Sequence, residues 1–160
     1  MQSADKNIVK QIHAFFRREH LTLSVAESCT GGMVANMITD LPGASGFFDT
    51  GIITYSNKSK TDMLSVKYTT IIKEGAVSEE TARQMADGIR RIRNTDVSLS
   101  VTGNLGPSAL EEKDIGLVYY AVSSKKGTFP GSMVFSGPRR QVKKQASIYG
   151  LGFLLQILAQ

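Results

Sequence analysis

Residues 21–38 read LTLSVAESCTGGMVANMI, and this stretch predicts a strand, a tight turn and a helix in direct succession. Residues 21–26 have the composition of a strand. Thr30-Gly31-Gly32 then interrupts the pattern with turn-forming residues, and Leu41-Pro42-Gly43 ends the helix that follows. The apolar residues of that helix recur at spacings of one, three and four: Met33, Val34, Met37 and Ile38.

The segments before and after this unit continue the alternation. Residues 5–19 predict an amphipathic helix, because their apolar side chains recur every three or four positions. Residues 47–55, rich in aromatic and β-branched side chains, predict a second strand, and a short helix containing Lys60 follows. Ser78 has the side chain of an N-cap, with acidic residues in the first turn, for a helix that runs to about Arg93.

Three more strands and a long helix complete the predicted fold. The strands are apolar runs at residues 97–101, 116–123 and 132–135. Pro138 suits the first position of a helix that runs to about Leu158. Strands interleaved with helices predict a three-layer α/β/α fold, with a mixed or mostly parallel sheet covered on both faces. The 160 residues contain no internal repeat and no linker, so we expect one domain over residues 1–160.

The composition is that of an ordinary soluble globular protein, with 41% apolar and 21% charged residues. The apolar run at residues 150–159 is too short to span a bilayer. The N-terminus lacks the basic start and apolar block of a signal peptide. We therefore expect a cytoplasmic protein with no membrane partner.

Few residues are available for metal or redox chemistry. The single cysteine, Cys29, cannot form an intramolecular disulfide, and with His13 and His20 it falls short of any zinc pattern. We expect no metal site and no cofactor.

Basic residues cluster at 90–93 and 139–144, and the formal net charge is +5. Such clusters attract phosphates, although long cations on a helix usually form a solvated face. No aromatic residues interleave with them, which argues against a platform for single-stranded nucleic acid.

The turn after the first strand is the leading candidate for chemistry. There a buried strand becomes a helix, so a side chain such as Ser28 and free N–H groups are exposed together. Those N–H groups, with the positive end of the helix dipole, can hold a phosphate or the oxyanion of an attacked amide. In the alternative, Ser28 or Thr30 caps the helix, while Gly31 and Gly32 let the backbone turn.

A nucleophilic serine needs a base. Both histidines lie in the first helix, at no motif spacing from a serine or an acid, which argues against a Ser-His-Asp triad. A lysine can serve when burial favours the neutral amine. Tyr55 and Lys60 stand at a strand exit, where open α/β sheets place ligands; in the alternative they are an edge tyrosine and a solvated lysine.

Two neighbours of Ser28 could also take part. Cys29 invites a thiol mechanism, but a thiolate needs a nearby cation or imidazole, so a small apolar residue packed under the turn is the favoured interpretation. Glu27 is either a supporting acid or a partner of the helix dipole.

Several separated motifs together resemble the CinA C-terminal domain family, from about residue 5 to the end of the chain. In chain order they are Ala26-Glu27-Ser28-Cys29-Thr30-Gly31-Gly32, Pro42-Gly43-Ala44-Ser45, Tyr55-Ser56-Asn57 with Lys60, Gly75-Ala76-Val77-Ser78, and Thr102-Gly103 before Gly106-Pro107. Stand-alone, PncC-type members of this family are nicotinamide-nucleotide amidases. The resemblance therefore implies hydrolysis of nicotinamide mononucleotide to nicotinic acid mononucleotide and ammonia, a step in pyridine-nucleotide recycling.

The resemblance also implies roles for particular residues. Ser28 is the expected nucleophile and Lys60 its base, while Tyr55 orients the pair or relays a proton to the leaving ammonia. Arg139, at the start of the last helix, is the expected phosphate ligand, with Arg140 as the alternative. The expected substrate-binding residues are Thr30, Gly31, Gly32, Thr102, Gly103 and Arg139.

This chain departs from the family after Thr102-Gly103. The family usually carries an isoleucine-alanine-glycine-proline run with further glycines, whereas residues 104–110 read NLGPSAL. A loop poorer in glycine brings its backbone less close to a ligand, and Glu111, Glu112 and Asp114 would repel a phosphate.

Two function classes therefore stay open. One is an amidase for nicotinamide mononucleotide or a related phosphorylated amide. The other is a nucleotide-binding or protein-interaction module that keeps the fold without the reaction. The intact set of Ser28, Tyr55 and Lys60 favours the amidase, and the altered loop at 104–114 favours the module.

A homodimer is the expected assembly. The first and last helices carry large apolar side chains, so one apolar face is expected to remain for a partner. Two-fold dimers are the commonest closed assemblies.

Overall fold

The computed structural model describes residues 3–108 and 113–160, in which a five-stranded sheet lies between helices. The α/β fold is confirmed. In chain order the elements are α1 (Ser3–Glu19), β1 (Leu23–Glu27), α2 (Met33–Thr39), β2 (Phe48–Ile53), α3 (Asn57–Leu64), α4 (Tyr68–Glu74), α5 (Glu79–Arg93), β3 (Val97–Gly103), β4 (Leu117–Ser124), β5 (Gly127–Val134) and α6 (Arg139–Leu158), with one 3₁₀ turn at Ala44–Gly46.

The sheet is mixed, with strand order β2-β1-β3-β4-β5. Strand β1 runs parallel to both β2 and β3, and its last residue, Glu27, pairs with Ile53 on one side and Val101 on the other. Strands β4 and β5 form an antiparallel hairpin beside β3. The carboxyl ends of β1, β2 and β3 therefore meet at one edge of the sheet, which gathers residues from three distant parts of the chain.

Helices cover both faces of the sheet. Helix α5 packs on β1, β3, β4 and β5, with α3 and α4 beside it. Helices α1, α2 and α6 form the other layer. Every residue of β1 is buried, as expected for a strand that is central and covered on both faces.

Helices α1 and α6 bury part of their apolar surface within the chain. The two helices pack against each other, so Phe16, Leu151 and Leu154 are fully buried within one chain. Phe15 and Leu158 remain partly exposed, so the apolar face expected for a partner is reduced by this packing but not removed. The homodimer itself stays a prediction. No helix within the described ranges combines the length and apolar character needed to cross a bilayer.

The largest differences from the sequence prediction concern β5, the start of α6 and one additional helix. Strand β5 begins at Gly127, five residues earlier than predicted, because Pro130 is tolerated on an edge strand that pairs only with β4. Pro138 is the N-cap of α6 and not its first helical residue. Helix α4 was not predicted, since it buries a single residue, Ile71, and so has no apolar stripe.

The two basic clusters are not uniform solvated faces. Arg90 is half-buried and donates to the Ser123 hydroxyl at 2.9 Å, which ties α5 to β4. Arg93 pairs with Asp49 at 2.8 Å, and its hydrogen bond lowers the pKa of that carboxyl. In α6, Arg139 and Arg140 line two different cavities.

Replacing Gly88 with alanine is expected to lower the free energy of unfolding by about 2 kcal/mol. A Cβ atom at Gly88 would lie 2.0 Å from the Leu64 carbonyl oxygen, where α5 packs on α3. Overpacking of this kind costs about 1–3 kcal/mol, of which alanine's helix preference offsets up to about 1 kcal/mol. Urea denaturation measures the change. Gly152→Ala in α6 is the control, because no described atom lies within 4 Å of its Cβ position. Equal stability of the two variants would contradict the packing argument.

Candidate active site

A cavity of about 540 Å³ opens at the sheet edge where β1, β2 and β3 end. Its wall combines side chains that follow these three strands with the first residue of α6. The lining residues are Ser28, Cys29, Tyr55, Asn57, Lys60, Ala76, Val77, Thr102, Gly103, Asn104, Leu105, Gly106, Pro107, Ser108 and Arg139. The structure thus brings Ser28, Tyr55, Lys60, Thr102, Gly103 and Arg139 to one cavity.

Lys60 and Ser28 are in contact in the cavity wall. Lys60 Nζ donates to Ser28 Oγ at 3.0 Å and to the Thr54 carbonyl oxygen at 2.8 Å. Lys60 is only 1% exposed. A buried amine is costly to desolvate, and packing alone would be served better by an apolar side chain. A buried lysine against a hydroxyl in a cavity wall is the arrangement of a nucleophile and its base.

Local sequence explains why Lys60 points inward. Ser56 caps α3, because its hydroxyl accepts from the Ser59 N–H and the Ser59 hydroxyl accepts from the Ser56 N–H. The capping box fixes where α3 begins, directly after β2. Lys60 then follows at the fourth helical position, buried while its neighbour Lys58 is exposed. The interpretation of Lys60 as a solvated residue is therefore wrong.

Glu27 caps helix α2 from the preceding strand. Its carboxylate accepts the N–H groups of Gly32, Val34 and Ala35 at 3.0, 3.1 and 2.8 Å. Gly31 and Gly32 adopt φ values of +55° and +91°, which glycine tolerates and which return the chain over Glu27. The dipole interpretation of Glu27 is thus supported by three direct hydrogen bonds.

This cap changes the expected role of the turn. The Gly32 N–H donates to the Glu27 carboxylate and the Gly31 N–H donates to the Ser28 carbonyl, so neither is available to an anion. Thr30 is fully buried, and its hydroxyl has no partner among the described residues. None of Thr30, Gly31 and Gly32 lines the cavity. The structure brings Ser28 to the cavity but not these three expected substrate-binding residues, because they shape the turn.

Cys29 lies beside Ser28 but is not poised for nucleophilic attack. It is buried in the main apolar core. Burial raises the pKa of the Cys29 thiol to about 12, so the thiolate is scarce at neutral pH. The geometry supports the interpretation of Cys29 as a small apolar residue under the turn.

Cys29 is expected to resist iodoacetamide in the folded protein at pH 8. The reagent attacks the thiolate, which burial disfavours, so the native chain should gain no carbamidomethyl group while the urea-unfolded chain gains one. Intact-protein mass spectrometry distinguishes the two. Rapid labelling of the native protein would show that the thiol is reactive after all.

Thr102 and Gly103 hold neighbouring segments together beside the cavity. The Thr102 hydroxyl donates to the Ala76 carbonyl oxygen at 2.8 Å, which fixes the segment before α5 in the cavity wall. A Cβ atom at Gly103 would lie 2.8 Å from the Leu117 carbonyl oxygen, so this position has no room for a side chain. Thr102 therefore supports the wall through a bond of its own hydroxyl.

The loop after Gly103 accommodates the side chains of Asn104 and Leu105, the two residues that are larger than those usual in the family. Asn104 is 1% exposed, its side-chain oxygen accepts the Gly106 N–H at 3.0 Å, and its amide donates to the Lys113 carbonyl oxygen. Leu105 is buried against the main core. The hydrogen bonds of Asn104 and the core packing of Leu105 hold the loop in place, and the cavity remains open beside it. Of the acidic residues expected to repel a phosphate, Asp114 is exposed, whereas Glu111 and Glu112 lie outside the described residues.

Arg139 crosses the mouth of the cavity. Its Nη2 donates to the Tyr55 hydroxyl at 2.9 Å, and its Nη1 donates to the Gly106 carbonyl oxygen. Arg140, one residue on, lines a separate cavity with Asp40 and Lys144. Of the two candidate phosphate ligands, only Arg139 shares the cavity of Ser28.

Sequence reasoning assigned no role to several residues of the wall. The Thr54 carbonyl holds Lys60, and no pattern of side chains signals a backbone acceptor. Asn57, Ala76 and Val77 line the cavity, and only the family motifs that contain them pointed to their segments. Within the described residues, no group of three or more histidine, cysteine or acidic side chains could hold a metal ion.

The sequence of this chain is similar to those of known proteins. The profile of the CinA C-terminal domain matches residues 5–158. A putative competence-damage inducible protein of Clostridium beijerinckii is 44% identical over 155 residues, covering 96% of this chain and 38% of the relative. A CinA-like protein of Syntrophus aciditrophicus is 41% identical over 157 residues, covering 97% of this chain and 37% of the relative. This chain thus spans less than two-fifths of the length of these relatives.

Solved structures show the same fold over the whole chain. A competence damage-inducible protein A from Klebsiella pneumoniae matches with a TM-score of 0.95 at 29% identity, covering 98% of each chain. A competence/damage inducible protein from Agrobacterium tumefaciens matches with a TM-score of 0.94 at 33% identity, covering all of this chain and 98% of the other.

Proposed function

This chain belongs to the CinA C-terminal domain family, and we propose that it hydrolyses the carboxamide of nicotinamide mononucleotide, giving nicotinic acid mononucleotide and ammonia. The names of its relatives refer to competence and damage, not to a reaction. The reaction is therefore argued from the site and from the family resemblance of its motifs.

One observation carries the proposal. Lys60 is buried, and its Nζ lies 3.0 Å from Ser28 Oγ in the wall of a cavity of about 540 Å³. Small-molecule sites commonly have volumes of about 300–1,000 Å³, so a mononucleotide is of suitable size. A purely binding module gains nothing from a desolvated amine on a serine, which favours the enzyme over the catalytically silent module.

Ser28 would attack and Lys60 would move the proton. A neutral Lys60 amine would accept the Ser28 hydroxyl proton through its lone pair, across the 3.0 Å contact, while the Thr54 carbonyl holds one N–H. Ser28 Oγ then bonds to the carboxamide carbon. In the tetrahedral intermediate the amide nitrogen takes up the transferred proton, with Tyr55 as relay, and the C–N bond breaks, which releases ammonia and leaves an ester on Ser28. Water hydrolyses that ester and releases the carboxylate product.

The oxyanion of the intermediate needs donors close to Ser28. The cap on α2 engages the Gly32 N–H and the Gly31 N–H donates to the Ser28 carbonyl, so the proposed donor is the N–H of Cys29, which follows the nucleophile and lines the cavity. This N–H replaces those of the turn glycines as the proposed oxyanion donor.

Arg139 would bind the phosphate of the substrate. It lies at the cavity mouth, carries a forked cation suited to phosphate, and occupies the first turn of α6, where the helix dipole also favours an anion. Arg140 lines a different cavity and is not proposed for this role.

Ammonia release from nicotinamide mononucleotide tests the proposed function directly. We expect the purified chain to release one ammonia for each nicotinic acid mononucleotide formed, with product identity checked by chromatography. Nicotinamide riboside, which lacks the phosphate, is expected to react poorly. A well-folded chain that releases no ammonia would refute the amidase and leave the binding module as the remaining function.

The cellular setting follows from this proposal. The product would return to pyridine-nucleotide synthesis in the cytoplasm, where the substrate arises from nucleotide turnover. The proposed enzyme would work as a homodimer, which sedimentation analysis can test.

A further inference from the structure

Arg139 holds Tyr55 at the rim of the cavity. The Tyr55 hydroxyl accepts from Arg139 Nη2, while Arg139 Nη1 donates to the Gly106 carbonyl oxygen on the far side of the mouth. Tyr55 is 62% exposed. Among the described residues, its hydroxyl makes its hydrogen bond at this rim and not with Ser28 or Lys60 inside. The residue proposed to serve the leaving ammonia is therefore held away from the reacting pair.

A phosphate would compete for the same guanidinium. The present acceptors are a neutral phenol and a neutral carbonyl, whereas a phosphate dianion forms stronger, charge-assisted and often bidentate bonds with arginine. A phosphate bound at Arg139 therefore draws the guanidinium away from Tyr55. The released hydroxyl can then turn towards Ser28 and Lys60.

We infer that Arg139 makes turnover, and not binding alone, depend on the phosphate of the substrate, because phosphate binding releases Tyr55 from the cavity mouth. This inference rests on the proposed function. An amide without a phosphate enters while Tyr55 is still held by Arg139, and it reacts slowly. Binding energy from a distant group of the substrate is thereby used at the reacting centre. Arg139 is in this sense a specificity-determining residue.

The rate of nicotinamide riboside hydrolysis, measured with and without added inorganic phosphate, tests the inference. In phosphate-free buffer, added inorganic phosphate is expected to raise kcat for nicotinamide riboside about tenfold in the wild type. The Arg139→Ala variant should hydrolyse the riboside faster than the wild type and should not respond to phosphate, since Tyr55 is already free. Arg140→Ala is the matched control and should behave like the wild type. Equal kcat on nucleotide and riboside, or a slower riboside reaction in Arg139→Ala, would overturn the inference.

A second measurement does not depend on activity. The chain has five tyrosines, which can be replaced by 3-fluorotyrosine and followed by ¹⁹F NMR, with Tyr55→Phe assigning the resonance. Inorganic phosphate should move the Tyr55 resonance in the wild type and in Arg140→Ala, but not in Arg139→Ala. A stationary resonance in the wild type would overturn the inference. A moving resonance without ammonia release would refute the amidase while the link between Arg139 and Tyr55 stands.

Discussion

Ser28→Ala is expected to lower kcat for nicotinamide mononucleotide by at least about 10³-fold, because the proposed ester intermediate forms on the Ser28 hydroxyl. The substrate should still bind with nearly unchanged affinity, since the proposed phosphate contact at Arg139 is untouched. Lys60 keeps its bond to the Thr54 carbonyl, so the free energy of unfolding should change by no more than about 2 kcal/mol. Steady-state ammonia release and substrate binding by calorimetry measure the two effects separately.

Ser100→Ala is the matched control for Ser28. Ser100 is also a buried serine, on the neighbouring strand β3, and its hydroxyl donates to the Ala82 carbonyl oxygen at 2.6 Å. Its loss should cost about 1 kcal/mol of stability and leave kcat nearly unchanged. In the wild type, brief mixing with substrate should also yield a peptide carrying the ester at Ser28. Retained activity in Ser28→Ala would exclude the nucleophilic role.

Lys60→Met is expected to lower kcat by about 10²–10⁴-fold, the range that general-base catalysis contributes. Methionine fills a similar volume without a proton acceptor and without an amine to desolvate. The lost hydrogen bonds to Ser28 and Thr54 are offset by removal of a buried ionisable group, so the free energy of unfolding should change by no more than about 2 kcal/mol. Ammonia release and urea denaturation on the same preparation measure both effects.

Lys58→Met separates this effect from a general loss of lysine in α3. Lys58 lies in the same helix, is exposed and pairs with Asp62 across one turn. Its replacement should alter stability by less than about 0.5 kcal/mol and leave kcat unchanged. If Lys58→Met and Lys60→Met lost activity equally, Lys60 could not be the specific base.

Local patterns predicted the elements that carry strong periodicity or clear capping. Helix α5 begins after Ser78 as predicted, because its hydroxyl accepts the Thr81 N–H, and it ends at Arg93. Helix α4 was missed because it has no apolar stripe, and its exposed residues include Tyr68 and Ile72. The start of β5 was missed because Gly127 and Pro130 are residues that weaken a strand prediction, although both fit the end of a hairpin at a sheet edge.

The sequence predicted which residues belong to the candidate site better than it predicted the contacts between them. The family motifs pointed to Ser28, Tyr55 and Lys60, which line the same cavity. The bond between Arg139 and Tyr55 joins positions 84 residues apart, so no local pattern could reveal it. The cap that Glu27 forms on α2 depends on the φ values of Gly31 and Gly32, which turn the chain back over the carboxylate. Sequence patterns therefore identified the residues, but the three-dimensional path of the chain decided which donors were still available.

Pro130 on β5 also bears on how the protein behaves at high concentration. An outer strand with unpaired N–H and C=O groups can recruit another chain and start edge-to-edge aggregation. Pro130 has no N–H to offer, and the neighbouring Gly131 lies so close to the Phe153 ring that a Cβ there would be 2.7 Å from it. The Phe153 ring of α6 therefore covers one face of the strand at Gly131, and Pro130 interrupts its row of N–H donors. We conclude that Pro130 makes β5 a poorer template for fibre-like growth, while the helix that covers one face of this strand also places its first residue, Arg139, at the cavity mouth.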